Sequence, residues 1–292
     1  MRIGLNAGFG DPIKHELGLL TDLGFQIVRQ DLYARFHDAP VQQLVSEFVG
    51  ETISPLFLIG GGHIQRPDQT RRIEPDELAT WARDAVRAAE AAGLATYAIE
   101  VGNEPDIAHR DYATRPQDFA VAVQQTHAAV RNEGFTGDVI TGGIANLDRR
   151  GFRYLTGMMS TSIADDVVIG FHRYPERGKG PQAPHRGFTS REDEWSTLRG
   201  IVGSHRLACT EFGYNTAPEK TWFGLRSRRR TDDEVAASVL WDFAFFRDHE
   251  CELAILYQLN DGPDATDRFG IRRVDGTLKP VAERIRAEFR SV

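Results

Sequence analysis

Alternating short apolar strands and amphipathic helices predict an α/β protein built as a single (β/α)8 barrel. Strand-like and helix-like segments alternate eight times along 292 residues, a length typical of one such barrel. The strand segments are apolar and rich in β-branched residues, as strands covered on both faces are. No composition break, low-complexity tract or repeat divides the chain beyond the βα rhythm, so residues 1–292 read as one domain. An open doubly wound sheet is the alternative, because strand count alone does not prove closure.

The strands read as 2–7, 26–31, 54–59, 97–102, 139–143, 167–172, 207–211 and 253–258. Helical patterns fill the intervals. The clearest spans 75–92: Leu78, Trp81, Ala82, Ala85 and Ala89 recur at helical spacing, and Gly93 stops it. Residues 116–132 repeat the design, with Gly134 beyond their end. Thr231-Asp232-Asp233-Glu234 forms a capping box ahead of a helix over 235–246. An amphipathic helix over 278–289 follows the last strand. The least regular stretches come after strands six, seven and eight, and in a barrel the loops after strands form the ligand-binding face.

Composition narrows the function classes. Hydrophobic residues make up 41% of the chain, too many for disorder. The formal net charge is -7, which gives no support for nucleic-acid binding. Cys209 and Cys251 each lie in or beside an apolar run, which predicts buried free thiols rather than a disulfide. No Cys/His spacing suggests a metal site, and no apolar run has transmembrane length. The opening Arg2-Ile3-Gly4-Leu5-Asn6 reads as a strand rather than a leader. A cytoplasmic protein is the plain expectation, and a secreted one trimmed of its signal would look the same.

Two phrases carry the chemistry. Ile99-Glu100-Val101-Gly102-Asn103-Glu104-Pro105 ends the fourth strand, and Ala208-Cys209-Thr210-Glu211-Phe212-Gly213 ends the seventh. Pro105 cannot continue a central strand, so the strand stops at Glu104 and leaves its side chain at the rim. Strict alternation puts Leu207, Cys209 and Glu211 on one face; if that face is the interior, Glu211 points at the mouth. Two carboxyls at strand ends are the minimum equipment for cleaving a glycosidic bond with retention of configuration. His172 and Tyr174 end strand six, and Arg29 lies in strand two. A buried arginine requires an anionic partner. Glu100, which shares the parity of Glu104, offers Arg29 a purely structural ion pair as an alternative to a role at the mouth. His172 has the corresponding alternative of a satisfied core histidine.

With these residues in place, the chain resembles the clan A glycoside hydrolases, retaining enzymes on (β/α)8 barrels. In that clan the acid/base glutamate follows an asparagine at the end of strand four, matching Asn103-Glu104-Pro105, and the nucleophile ends strand seven, matching Glu211. A strand-two arginine matches Arg29, and a strand-six His-x-Tyr matches His172 and Tyr174. Tyr257-Gln258-Leu259-Asn260-Asp261, Phe269-Gly270-Ile271 and Asp275-Gly276-Thr277-Leu278-Lys279-Pro280 are similar to members near family 39. The resemblance implies that Asn103 holds a sugar 2-hydroxyl, that the negative field of Glu211 raises the pKa of Glu104, and that no cofactor is needed. The clan commonly has a tryptophan near the end of strand eight. Here Ile255-Leu256-Tyr257 stands there, with Tyr257 or Trp222 as the substitute.

Aromatic residues in post-strand loops suit sugar faces. Tyr33, Phe36, Phe188, Tyr214 and Trp222 are the candidates, whereas Trp81 and Trp241 lie in helices and read as core. Trp195, at a helix start, fits either role. His63, after Gly60-Gly61-Gly62, ends strand three within reach of a substrate. Two loops are basic on an acidic chain. Arg173, Arg177, Lys179 and Arg186 stand against Glu176 over 172–190, a net +3; Lys220, Arg226, Arg228, Arg229 and Arg230 stand against Glu219 over 212–230, a net +4. Such a rim attracts an anionic glycan, or is a solvated charge run. The sequence therefore predicts a retaining glycosidase that cuts β-bonds within an oligo- or polysaccharide. The alternatives are an exo-acting xylosidase-like or uronidase-like enzyme and a carbohydrate-binding barrel without catalysis.

Overall fold

The computed structural model describes residues 1–8, 12–32, 40–60, 75–107, 115–176, 178–217, 229–264 and 266–290. Strands and helices alternate among them: β1 (Arg2–Gly8), α1 (Lys14–Asp22), β2 (Ile27–Asp31), α2 (Val41–Ser46), β3 (Ser54–Ile59), α3 (Pro75–Ala92), β4 (Ala98–Val101) and α4 (Pro116–Asn132). The second half continues with β5 (Val139–Thr141), α5 (Arg149–Met159), β6 (Ile169–Arg173), α6 (Arg191–Val202), β7 (Leu207–Phe212), α7 (Asp232–Asp248), β8 (Leu253–Tyr257) and α8 (Pro280–Phe289). β3, α3 and α4 have the bounds that their periodicity predicts. Gly93 and Gly134, at φ 73° and 88°, follow α3 and α4 in the left-handed conformation expected of a helix stop. The capping box at Thr231 forms with Glu234, and it starts α7 three residues before the predicted helix.

The strands pair in parallel in the order β5-β4-β3-β2-β1-β8-β7-β6. The outer two meet through the bridges Ile140–Val168 and Ile144–Phe171. Across that seam Thr141 N–H donates to the Val168 carbonyl and Val168 N–H to that of Val139, each at 2.9 Å. The sheet is thus a closed (β/α)8 barrel, and the open doubly wound alternative is excluded.

Strand residues divide between two apolar layers, as a period of two requires. Ile27, Leu56, Ala98, Ile140, Val168, Ala208, Leu253 and Ile255 form the cluster inside the barrel. Their neighbours Val28, Phe57, Ile99, Val139, Ile169, Leu207, Cys209 and Ala254 belong to the larger cluster shared with the helices. Phe212 at the end of β7 packs edge-on against Phe243 and Phe246 of α7, with ring centroids 5.0 and 5.4 Å apart. Contacts of this kind add about 0.5–1.5 kcal/mol to the burial itself. Cys209 and Cys251 are buried free thiols.

β7 corrects the parity argument. Leu207 and Cys209 face the helices and Ala208 faces the interior, the reverse of the expectation. The register then slips: Phe171 pairs with Cys209, but His172 pairs with Glu211. One extra residue on β7 is a bulge, which re-aims side chains at a barrel rim. It brings Glu211 to the mouth while Phe212 stays outside.

Candidate active site

Above the apolar interior lies a polar layer: Asn6, Arg29, Glu100, His172, Thr210 and Glu211 are all buried inward-facing residues at or near strand ends. Asn6 of β1 is in register with Arg29 on one side and Tyr257 on the other. Burying this many polar groups is costly unless each finds a partner, and Arg29 organises the pairing. Its Nε donates to Glu100 Oε2 at 2.5 Å, its Nη1 to Glu211 Oε1 at 2.5 Å, and its Nη2 to Asn103 Oδ1 at 2.9 Å. Both readings of Arg29 therefore hold together: it makes the structural pair with Glu100 and contacts the mouth carboxylate. Burial works against its charge, but Glu100 and Glu211 outweigh burial and hold its pKa above the ordinary value.

Glu211 is gripped from two sides, since Tyr174 Oη donates to Glu211 Oε2 at 2.7 Å. Burial, reinforced by the Glu211 charge, pushes the Tyr174 phenol well above its usual range, so it remains a donor. His172 is fully buried between the carboxylates, its Nδ1 3.3 Å from Glu104 Oε1 and 3.7 Å from Glu211 Oε2. Burial opposes protonation of His172, yet Glu211 and Glu104 win and its pKa is raised.

Glu104 reaches this cluster through an unusual backbone. Its φ is 52°, in the left-handed region that costs a non-glycine residue of order 1 kcal/mol or more. Its N–H donates to the Gly143 carbonyl at 3.0 Å, which fixes the turn against β5. Gly143 has no alternative there: a Cβ would lie 2.2 Å from His172 Cδ2. One oxygen each of Glu104 and Glu211 and one His172 nitrogen lie within 4.8 Å of one another. That trio has the donor types of a cation site. The Arg29 guanidinium already on Glu211 opposes a second positive charge there.

Tyr257, half-buried, closes one side. Its ring meets Tyr174 edge-on at 6.2 Å and Phe269 at 5.7 Å, and Phe269 meets Tyr174 at 5.8 Å. The structure thus brings Glu104, Glu211, Asn103, Arg29, His172, Tyr174 and Tyr257 into one site.

Tyr214 does not join them. It is 1% exposed and turned outward, its hydroxyl donating to buried Asp242 of α7. The bulge that turns Glu211 inward leaves Tyr214 on the helix side, where the Asp242 carboxylate satisfies its hydroxyl. Phe188, half-buried, packs on Phe152 of α5 at the edge of the core, and Trp195 packs on Phe171 within it. His63, Trp222, Tyr33 and Phe36 lie outside the described residues.

Two neighbours of the site, Asp106 and Asp267, had no part in the sequence argument, whereas Phe269 and Gln258 entered it only within the phrases similar to family 39. Asp106 accepts the Ala145 N–H at 2.9 Å, and burial raises its pKa despite that bond. Gln258 donates to Asp267 Oδ1 at 3.2 Å beside Tyr257. Asp106, two residues after Glu104, was within reach of the motif argument; Asp267 comes from a distant loop and carried no local signal.

No family model matches the sequence, and no curated protein does. Solved structures share the fold at low identity. The exo-beta-1,4-mannosidase from Opitutaceae bacterium strain TAV5 matches with a TM-score of 0.67 at 17% identity, over 100% of this chain and 60% of that one. The GH39 enzyme from Xanthomonas axonopodis pv. citri gives 0.64 at 14% identity, over 97% of this chain and 65% of that one. This chain thus spans under two thirds of the length of both. The endoglucanase Cel5A of Pseudomonas stutzeri in complex with cellobiose gives 0.67 at 14% identity, over 99% and 92%. The likeness spreads over several specificities, does not single out family 39, and shows the shared barrel fold.

Proposed function

We propose that this protein is a retaining glycoside hydrolase acting on β-linked carbohydrate, with Glu211 as nucleophile and Glu104 as acid/base. One observation carries the reading: carboxylate oxygens of Glu104 and Glu211 lie within 4.8 Å of each other at the barrel mouth. Retaining enzymes hold their carboxyls about 5–5.5 Å apart, whereas inverting enzymes leave about 6.5–9.5 Å for a water.

In the first step ionised Glu211 attacks the anomeric carbon while Glu104 gives its proton to the departing oxygen. Arg29 and Tyr174 hold Glu211 as an anion aimed at the mouth, so little reorganisation remains at the moment of attack. Forming the glycosyl ester removes the Glu211 charge. Glu104 then deprotonates the water that releases the sugar. Asn103, fixed by Arg29, is assigned to the sugar 2-hydroxyl, and Tyr257 to the wall of the central pocket.

The test is chemical rescue. Glu211→Ala abolishes turnover, and added azide restores it as the inverted glycosyl azide. Glu104→Ala on an activated aryl glycoside yields the retained azide instead. Wild-type rates in both alanine variants would overturn the assignment.

Cleavage within the chain is the finer reading. Tyr214 lends no support to a long aromatic cleft, since it packs outward against α7, and Phe188 is half-buried against Phe152. Early release of mixed oligosaccharides from a polymer is the expected outcome; release of monosaccharide alone refutes it.

A further inference from the structure

Glu211 depends on Tyr174, and Tyr174 stands where β6 has already stopped. The pairing of β6 with β7 ends at Arg173 opposite Phe212. Pro175 follows, with no N–H to carry a ladder further. Yet the Tyr174 hydroxyl has to meet Glu211 Oε2 at 2.7 Å. Tyr257 and Phe269 flank its ring edge-on at 6.2 and 5.8 Å. The phenol oxygen lies at the far end of a rigid ring, so a small tilt of the main chain at 174 becomes a larger displacement of the hydroxyl.

His185, eleven positions later in the chain, holds that main chain from behind. It is buried, and its Nε2 lies 2.8 Å from the Tyr174 carbonyl oxygen. A carbonyl only accepts, so Nε2 carries a proton and donates it. The other end of the residue is clamped by Glu194. Glu194 Oε2 accepts the His185 main-chain N–H at 2.7 Å and faces its Nδ1 at 3.0 Å. One carboxylate oxygen thus fixes both the backbone of His185 and the rotation of its ring. Glu194 is itself buried in the first turn of α6, where the helix dipole favours a negative charge. Arg173 ties the same loop to β6 a second time, its Nη2 donating to the Ala183 carbonyl at 2.6 Å.

The imidazole is therefore a spacer between the start of α6 and the backbone of Tyr174. From there to the phenol the connection is covalent, so what passes from Glu194 through His185 and Tyr174 to Glu211 is position and not a proton. Position matters at this point, because misplacing a reacting group by about 1 Å costs about 100-fold in rate.

We propose that His185 is a positioning residue for the nucleophile: by holding the Tyr174 carbonyl it sets where the phenol meets Glu211. Its effect on rate rests on the glycosidase reading above; its effect on the Tyr174 hydroxyl does not. Two substitutions divide its bonds. An asparagine amide falls near the place of Nδ1, so His185→Asn keeps a donor for Glu194 and drops Tyr174. A glutamine amide reaches the place of Nε2, so His185→Gln does the reverse. The first measurement needs no substrate. Protein labelled with carbon-13 at tyrosine Cζ gives one line for each of seven tyrosines, and the line lost in Tyr174→Phe is that of Tyr174. Its shift reads the hydrogen bond of the phenol. His185→Asn moves the line toward that of a solvated tyrosine and His185→Gln leaves it in place. An unmoved line in His185→Asn, or an equal shift in both variants, overturns the proposal. Nitrogen-15 histidine spectra of the wild-type protein show a protonated Nε2 at His185; a bare Nε2 overturns the proposal even where neither variant folds. The second measurement is a double-mutant cycle in kcat/KM on the dinitrophenyl β-glucoside, β-mannoside and β-xyloside. His185→Asn alone lowers kcat/KM about tenfold or more. In the Tyr174→Phe background it lowers it by less than about twofold, because both changes act through one hydrogen bond. Losses that multiply overturn the proposal. Failure of azide rescue strikes the assignment of Glu104 and Glu211 instead, and the labelled-protein spectra still decide what His185 does.

Discussion

Arg29 shows how a single side chain links stability to the chemistry. Its planar fork serves Glu100, Glu211 and Asn103 at once, a geometry that lysine's single ammonium does not reproduce. Glu100 is 0% exposed. Replacing Arg29 with Met leaves that carboxylate buried without its counter-charge, a change that costs about 3–5 kcal/mol. Adding Glu100→Gln to Arg29→Met removes the uncompensated charge and recovers much of the loss in a denaturant titration. Activity does not return, because Glu211 still lacks its cation. A double variant that regains turnover along with stability would show that Arg29 acts on Glu100 alone. Glu104 makes the complementary point: its positive φ spends stability to aim a side chain, and strain of this kind collects at functional sites.

At the scale of elements, the ends of β6 and β7 are braced from behind by a buried ionic group. His185 Nε2 faces the Tyr174 carbonyl at 2.8 Å and its Nδ1 faces Glu194 at 3.0 Å; Arg191 reaches Asp242 at 3.0 Å. Burial lifts the Asp242 pKa to about 7, although Arg173 and the Tyr214 hydroxyl pull it down. From about pH 4 to about pH 7 the folded protein therefore keeps a proton that the unfolded chain has released. More protons bound in the native state means that stability falls as pH rises through that window, by at most about 1.4 kcal/mol per pH unit. The contribution is complete below the unfolded carboxylate pKa and lost above about 7. Asp242→Asn flattens this slope in unfolding measured between about pH 5 and pH 7; identical slopes in both proteins would mean that Asp242 does not titrate there. This brace was invisible in the sequence, because Tyr214 and Asp242 lie 28 positions apart with no local pattern joining them. A tyrosine just past a catalytic motif looks equally apt for a sugar. What was legible were features with short-range physics: the apolar strand runs, the helix stops at Gly93 and Gly134, and the box at Thr231; Pro105 was not the stop expected of it, since β4 already ends at Val101. The bulge in β7 was not legible, so parity brought Glu211 to the mouth by a wrong route. Phe269 and Asp267 sit in a loop whose folding onto Tyr257 is set by tertiary contacts alone.

For the whole molecule, closure of the barrel and assembly of the site are one problem. β5 has only three residues, and it meets β6 through isolated bridges rather than a continuous ladder. The same seam carries one of the site's backbone anchors, the His172 N–H donating to the Ile144 carbonyl at 2.9 Å, and the residues just after β5 carry another on their β4 side, where Glu104 N–H donates to the Gly143 carbonyl at 3.0 Å. Thr141 reinforces the seam, accepting the Gly170 N–H on its Oγ1 at 2.8 Å. Strand approach here is close, since a Cβ on Gly170 would lie 2.1 Å from the Thr141 carbonyl oxygen. Thr141→Val keeps the shape but leaves the buried Gly170 N–H without its acceptor, at a cost of about 1–3 kcal/mol. Hydrogen exchange should then quicken at 139–141 and 168–172 while β1 and β2 keep their protection, because opening is local where the ladder is thinnest. Loosening that seam moves His172 and Glu104 relative to Glu211, so kcat falls more than the small change in folded population accounts for. If exchange rises uniformly around the barrel and kcat is untouched, the seam is no weaker than the other strand pairs and does not position the acid/base.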